Sequence, residues 1–136
     1  MAAYTKFNSF VEAIAEKVHN LGSDAIMVAL CNTAPVAGNA VLTDLTQIAY
    51  TNCSSRAVTT TSSAQTAGTY KLVLADLVLT ASGGSIAAFR YVVLYNNTAT
   101  NKELIGFFDY GSSLTLLDTE TLTLDFDGTN GVLQIA

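Results

Sequence analysis

TASGGSIAAFRYVVLYNNTATNKELIGFFDYGSSLTLLDTETLTLDFDGTNGVLQIA, running from Thr80 to Ala136, decides the fold. Gly83-Gly84 predicts a tight reversal, because glycine accepts positive φ without steric cost. Ala88–Tyr95 and Leu104–Tyr110 read as strands joined by the polar loop Asn96–Lys102. Thr121, Thr123 and Asp125 alternate with Leu122, Leu124 and Phe126, a period-two pattern that fits a sheet with one wet face. Asn130-Gly131 predicts a hairpin turn into a last strand, Val132–Ile135.

Working upstream, Leu77–Thr80 continues as another strand, and Ala57–Thr61 and Tyr70–Leu74 form two more around a turn at Ser62–Gly68. Asp24–Asn32 (DAIMVALCN) is a buried-type strand that ends in the loop Thr33–Asn39, which holds the only proline, Pro35. Val41, Leu45 and Ile48 share a helical spacing and predict a short helical turn within Leu42–Ala49. Before them the period is helical. Ser9 and Glu12 fit a capping box, and Phe10, Ile14, Val18 and Leu21 form one apolar stripe. Lys17 and His19 suit the negative end of the helix dipole, and Gly22 is the expected stop.

The reading is mainly β: a single-domain antiparallel β-sandwich over residues 1–136, jelly-roll-like, with one N-terminal α-helix. About eight short strands at ~10-residue intervals carry it. Residues 9–21 are the helix and residues 24–136 the strands. Residues 1–8 precede both and have no evident strand partner. They read as an arm that reaches a neighbouring subunit, with Tyr4, Lys6 and Phe7 as partner contacts.

Composition narrows the function. Half of the chain is hydrophobic and only 12% is charged, against about 25% in an ordinary soluble domain. Thr, Ser, Asn and Ala fill the deficit, a surface suited to packing against other chains. The net charge is −5, and the six basic residues are scattered, none lying beyond Lys102. Nucleic acid is therefore not the expected partner, since phosphate binding needs clustered Lys and Arg. The apolar runs Ala25–Cys31 and Tyr91–Tyr95 fall short of the ~20 residues of a membrane span. MAAYTKFNSF does not resemble a secretory signal, so Asn52-Cys53-Ser54 and Asn96-Asn97-Thr98 read as turns, not glycan sites.

Candidate chemistry is sparse. Cys31 and Cys53 form no CxxC pair, and Cys31 lies in an apolar run as an inert packing thiol. His19 is the single histidine, and no nucleophile elbow accompanies it. Asp118/Glu120 and Asp125/Asp127 each share a predicted strand face as solvated pairs, unlike the carboxylates that flank a glycosidase cleft. In DFDGTNG, Asp125, Asp127 and Thr129 match the first ligands of a calcium loop. Asn130 replaces its glycine, and no glutamate follows at the twelfth position. Phe89, Tyr91 and Tyr95 share one strand parity and read as core residues. No catalytic residue, cofactor, metal or small-molecule substrate is expected.

Two segments together carry a resemblance: FNSFVEAIAEKVHNLGSDAIMVALCNTAP (Phe7–Pro35), and TASGGSIAAFRYVVLYNNTA continuing through LIGFFDYGSSLTLLDTETLTLDFDGTNGVLQIA. The chain resembles small virion proteins of tailed bacteriophages, of the head decoration (cement) type. The resemblance implies a β-sandwich on the capsid exterior that contacts the major capsid protein and stabilises the head. It also implies synthesis in the host cytoplasm and a homo-oligomer, dimer or trimer. It transfers no site residue. A tail- or fibre-associated receptor- or glycan-binding module is the competing expectation, and it requires an exposed aromatic platform.

Overall fold

The computed structural model describes residues 2–136. Five strands form the larger sheet: β1 (Ala3–Lys6), β2 (Ile26–Cys31), β3 (Ala57–Val58), β7 (Phe89–Asn96) and β8 (Leu104–Leu114), in the order β1-β8-β7-β2-β3. Facing it are a three-stranded sheet, β10-β5-β4, and a two-stranded ribbon, β6-β9. These comprise β4 (Thr60–Thr66), β5 (Thr69–Leu74), β6 (Leu77–Thr80), β9 (Thr121–Leu124) and β10 (Leu133–Ile135). Every named pairing is antiparallel. The protein is mainly β, as expected. Its strands fall five against three plus two, with no division into matched four-stranded halves.

One core joins the layers. Val28 and Leu30 of β2, Val92 and Leu94 of β7 and Ile105 of β8 pack with Leu72 and Leu74 of β5, Leu79 of β6 and Leu124 of β9. Each such side chain removed from water contributes roughly 1.5–3 kcal/mol before entropy is charged against it. The outer face of the larger sheet is also dry. Ala29, Cys31, Tyr91, Val93, Tyr95 and Leu104 are buried there with Phe7, against Leu42 and Leu45. The covering segment is stitched on by backbone bonds: Leu104 N–H to Ala40 C=O (2.9 Å), Leu42 N–H to Lys102 C=O (3.1 Å) and Ile48 N–H to Leu30 C=O (3.0 Å). Two-sided burial explains why β2 and β7 read as continuous apolar runs, because neither face offers water a reason for a polar residue.

The helix is shorter than its periodicity. α1 spans Phe10–Ala15, and the Ser9 side chain makes no capping bond. Lys17 enters the left-handed region at φ 67, and Val18 N–H donates to Ala13 C=O at 2.9 Å. That is a Schellman ending at Lys17, five residues before the expected stop at Gly22. Ending there lets Leu21 turn back into the core that holds Phe10, while Val18 is left exposed. Of the expected stripe, Phe10 and Leu21 are buried, Ile14 is half-buried and Val18 is exposed, and the four do not share one continuous helix. The predicted turn Leu42–Ala49 reduces to a single 3₁₀ turn at Leu42–Asp44.

Two turn readings also change. The Ser62–Gly68 turn contracts to Ala67-Gly68, both at positive φ (50 and 84). This is the mirror-image turn that suits a two-residue hairpin. Residues 62–66 are therefore strand. Asn130-Gly131 does not fold β10 back on β9, since β9 pairs with β6 and β10 with β5. Gly131 instead permits a close approach. Its φ is +78, and a Cβ there would meet the Leu72 carbonyl oxygen at 2.5 Å.

The expected arm is corrected most clearly. Residues 3–6 are an edge strand paired with β8 of the same chain, with Tyr4 opposite Phe108 and Lys6 opposite Gly106. Phe7 N–H donates to Ile105 C=O at 3.2 Å. β8 offered an unpaired edge that β1 closes. Met1 of the expected arm lies outside the described residues.

Candidate functional site

Of the three expected partner contacts, Phe7 is fully buried and Tyr4 half-buried, and only Lys6 is exposed. The Tyr4 ring lies 5.2 Å from that of Phe108 and over Gly106, where any Cβ would collide with it. Burial raises the pKa of the Tyr4 phenol. Phe7 sits 5.2 Å from Phe107. These two rings seal the edge of the sandwich.

A cleft of about 490 Å³ lies where the end of α1 meets β4, β5 and β10. Ile14, Leu21, Tyr70 and Ile135 supply its apolar lining, with Lys17, His19, Asn20 and Ser63 among its polar members. Ser63 Oγ and Tyr70 Oη are hydrogen-bonded at 2.7 Å. Ile135 remains 41% exposed. The cleft is the incompletely closed mouth of the sandwich.

Behind it lies a polar network that spans the chain. Asn96, on β7, is fully buried. Its Oδ1 accepts from Thr98 N–H (2.9 Å) and Ala99 N–H (3.1 Å). Those bonds fix the amide orientation, so Nδ2 donates to Asp24 Oδ2 at 2.6 Å and to His19 Nδ1 at 3.0 Å. An accepting Nδ1 requires the His19 proton on Nε2, which has no partner and is buried. The ring stacks on Phe10 at 5.4 Å. His19 is therefore a core residue beyond the helix, not the carbonyl-capping residue of a last helical turn. The helix pattern alone did not reveal it, and no local signal links it to Asn96.

Burial lowers the His19 pKa, while the charges of Glu103 and Asp24 oppose the shift. A base held neutral in the folded state binds fewer protons than it does unfolded, so its contribution is complete above the unfolded value near 6.5 and falls as pH drops below it. Protonation also sets an N–H at Nδ1 against the Asn96 donor. The chain has one histidine. Urea midpoints should thus fall between roughly pH 7 and pH 5 in the wild type, and His19→Gln should flatten that slope. An unchanged slope in the variant would remove the assignment.

The remaining candidates serve the scaffold. β9 ends at Leu124 and begins at Thr121, so Asp118, Glu120, Asp125 and Asp127 lie off the strand and form no same-face pairs. Asp118 Oδ1 accepts from Gly83 N–H (3.0 Å) and Glu120 Oε1 from Leu117 N–H (2.7 Å). Asp127 accepts from Thr129 N–H, Asn130 N–H and the Asn130 side chain, and these bonds hold its pKa below the ordinary carboxylate value. Burial pushes the Cys31 thiol up to about 11. Asn52 Nδ2 donates to Ser85 C=O at 3.2 Å in a left-handed turn. Among the described residues no three His, Cys, Asp or Glu side chains gather as a metal-binding group, and no helix is long and apolar enough to cross a membrane.

Phe89, Tyr91 and Tyr95 are buried as expected but do not share a face: across the register shift after Phe89, that ring packs in the inner core and the two tyrosines pack with Phe7 on the outer face. No protein family, curated protein or solved structure matches the chain.

Proposed function

We propose that the protein is a structural component of a tailed-phage virion that binds the outside of the capsid through the major capsid protein and stabilises the head. The observation that carries this reading is the surface of the sandwich. Small uncharged side chains dominate it, and the whole of β4 (TTSSAQT) lies exposed or half-exposed. Such a surface loses little desolvation energy when laid against another protein. Many copies on a closed shell add modest contacts into a large total. The resemblance of Phe7–Pro35 and Thr80–Ala136 to decoration proteins supports the same reading. The role is one of binding, with no catalysis and no cofactor.

The glycan-binding alternative needs exposed rings. The aromatics of β7 are packed inside, and among the described residues Tyr110 is the only exposed aromatic, at 37%. That favours the capsid reading. Purified protein mixed with empty capsids of the phage that encodes it should co-sediment with them and raise their disruption temperature. Failure to co-sediment, with no copies in purified virions, would sink the proposal.

A further inference from the structure

An unpaired strand edge is a template for another chain, and proteins normally guard it with charge, proline or a covering segment. β1 carries Lys6, β3 is two residues long and follows Arg56, and β10, the opposite edge of the three-stranded sheet, is only three residues long. In the ribbon, β6 follows Asp76, and β9 lies between Glu120 and Asp125. β4 differs. It terminates the order β10-β5-β4, and from Ala57 to Tyr70 the chain has no charged residue and no proline. Its only irregularity is the register shift between Thr60 and Ser62, which leaves Ser62–Thr66 regular.

The hairpin decides which backbone groups face outward. Thr66 and Thr69 flank the two-residue turn, and in such a hairpin this flanking pair is hydrogen-bonded. Alternation then turns the N–H and C=O groups of Gln65 and Ser63 away from β5. Ala64, between them, stands opposite Lys71 on the outer side of the sheet and is exposed.

We propose that β4 pairs antiparallel with β4 of a second copy, about a two-fold axis at Ala64. Ser63 and Gln65 of one copy exchange backbone bonds with Gln65 and Ser63 of the other, and Ser62 faces Thr66. Self-pairing is the arrangement this sequence permits. A two-fold axis sets each residue against a member of the same short set, and a strand without charge meets no like charge there. Ala64 meets Ala64 at a non-hydrogen-bonded position, where Cα atoms approach to about 4.5 Å. The two three-stranded sheets become one continuous sheet. A single strand pair buries less than the ~1,200–2,000 Å² of a standard stable interface. The dimer is therefore weak when free and consolidates where copies are held together at about millimolar effective concentration. The pairing belongs to the isolated chain and does not depend on the capsid role.

Sedimentation equilibrium without capsids tests it. Wild-type protein should show a reversible monomer–dimer equilibrium. Ala64→Lys and Ala64→Glu should each weaken it at least tenfold, and an equimolar mixture of the two should recover dimer. The recovery also reports that both variants are folded. A wild type that stays monomeric up to about 1 mM, an oligomer unaffected by Ala64→Lys, or a mixture that does not recover would each overturn the proposal.

Discussion

Phe7→Ala lowers the stability of the folded chain by about 3–5 kcal/mol, the cost of emptying a closed aromatic site. Phe7 has no solvent exposure and packs with Ala29, Cys31, Tyr91, Val93, Tyr95 and Leu104. Its backbone is held by Ile105, so the neighbouring strands have little room to collapse into the space. For a domain of this length the melting temperature should fall by roughly 10–20 °C. The result separates two pictures of the N-terminal residues. In an arm that contacts a neighbour, truncation weakens assembly and leaves the monomer intact. In the edge strand seen here it weakens the monomer itself. A urea-derived loss below about 1 kcal/mol would return Phe7 to the surface.

The second large effect belongs to Asn96→Ala, at about 2–4 kcal/mol. The side chain is fully buried and satisfies four partners: His19, Asp24, Thr98 N–H and Ala99 N–H. Alanine leaves the buried His19 Nδ1 and Ala99 N–H without partners, while Asp24 keeps its bond from Asn20 N–H, and an unmatched buried donor or acceptor costs more than the mean hydrogen bond returns. Amide exchange of Thr98 and Ala99 should accelerate together with the loss of global stability. Equal stability in the variant, with Thr98 and Ala99 still protected, would contradict the network. Complete burial also explains why the Asn96-Asn97-Thr98 sequence acts as turn chemistry, since its first amide points inward.

What the sequence revealed followed the range of the signals. Alternation and apolar runs located β2, β6, β7 and β9 well, because burial of each face acts residue by residue. The partners of those strands were less legible. Asn130-Gly131 looked like a hairpin, yet Gly131 is needed for its approach to Leu72, a contact set by tertiary packing. β1 was missed because its four residues alternate weakly and its pairing partner, β8, begins about a hundred residues later. Local patterns carry no record of so distant an edge. The helix stripe mixed two structures, since Phe10 and Leu21 reach the same core from either side of the left-handed turn at Lys17. The polar network was likewise hidden. Asn96 lies more than seventy residues from His19 and Asp24, and only the pairing of Ile26 with Asn96 brings β2 and β7 into the register that unites them. Burial of Tyr91 and Tyr95 was legible from the continuous apolar run of β7, whereas parity did not decide it, since both faces of that strand are covered.

If a tailed phage encodes the chain, as proposed, electron cryomicroscopy of that phage's intact particles tests the capsid role most directly. The account predicts density on the outer surface of the head into which this five-against-three-plus-two sandwich fits, in contact with the major capsid protein. Density for the sandwich only on the tail, or a mature head surface without it, would contradict the account.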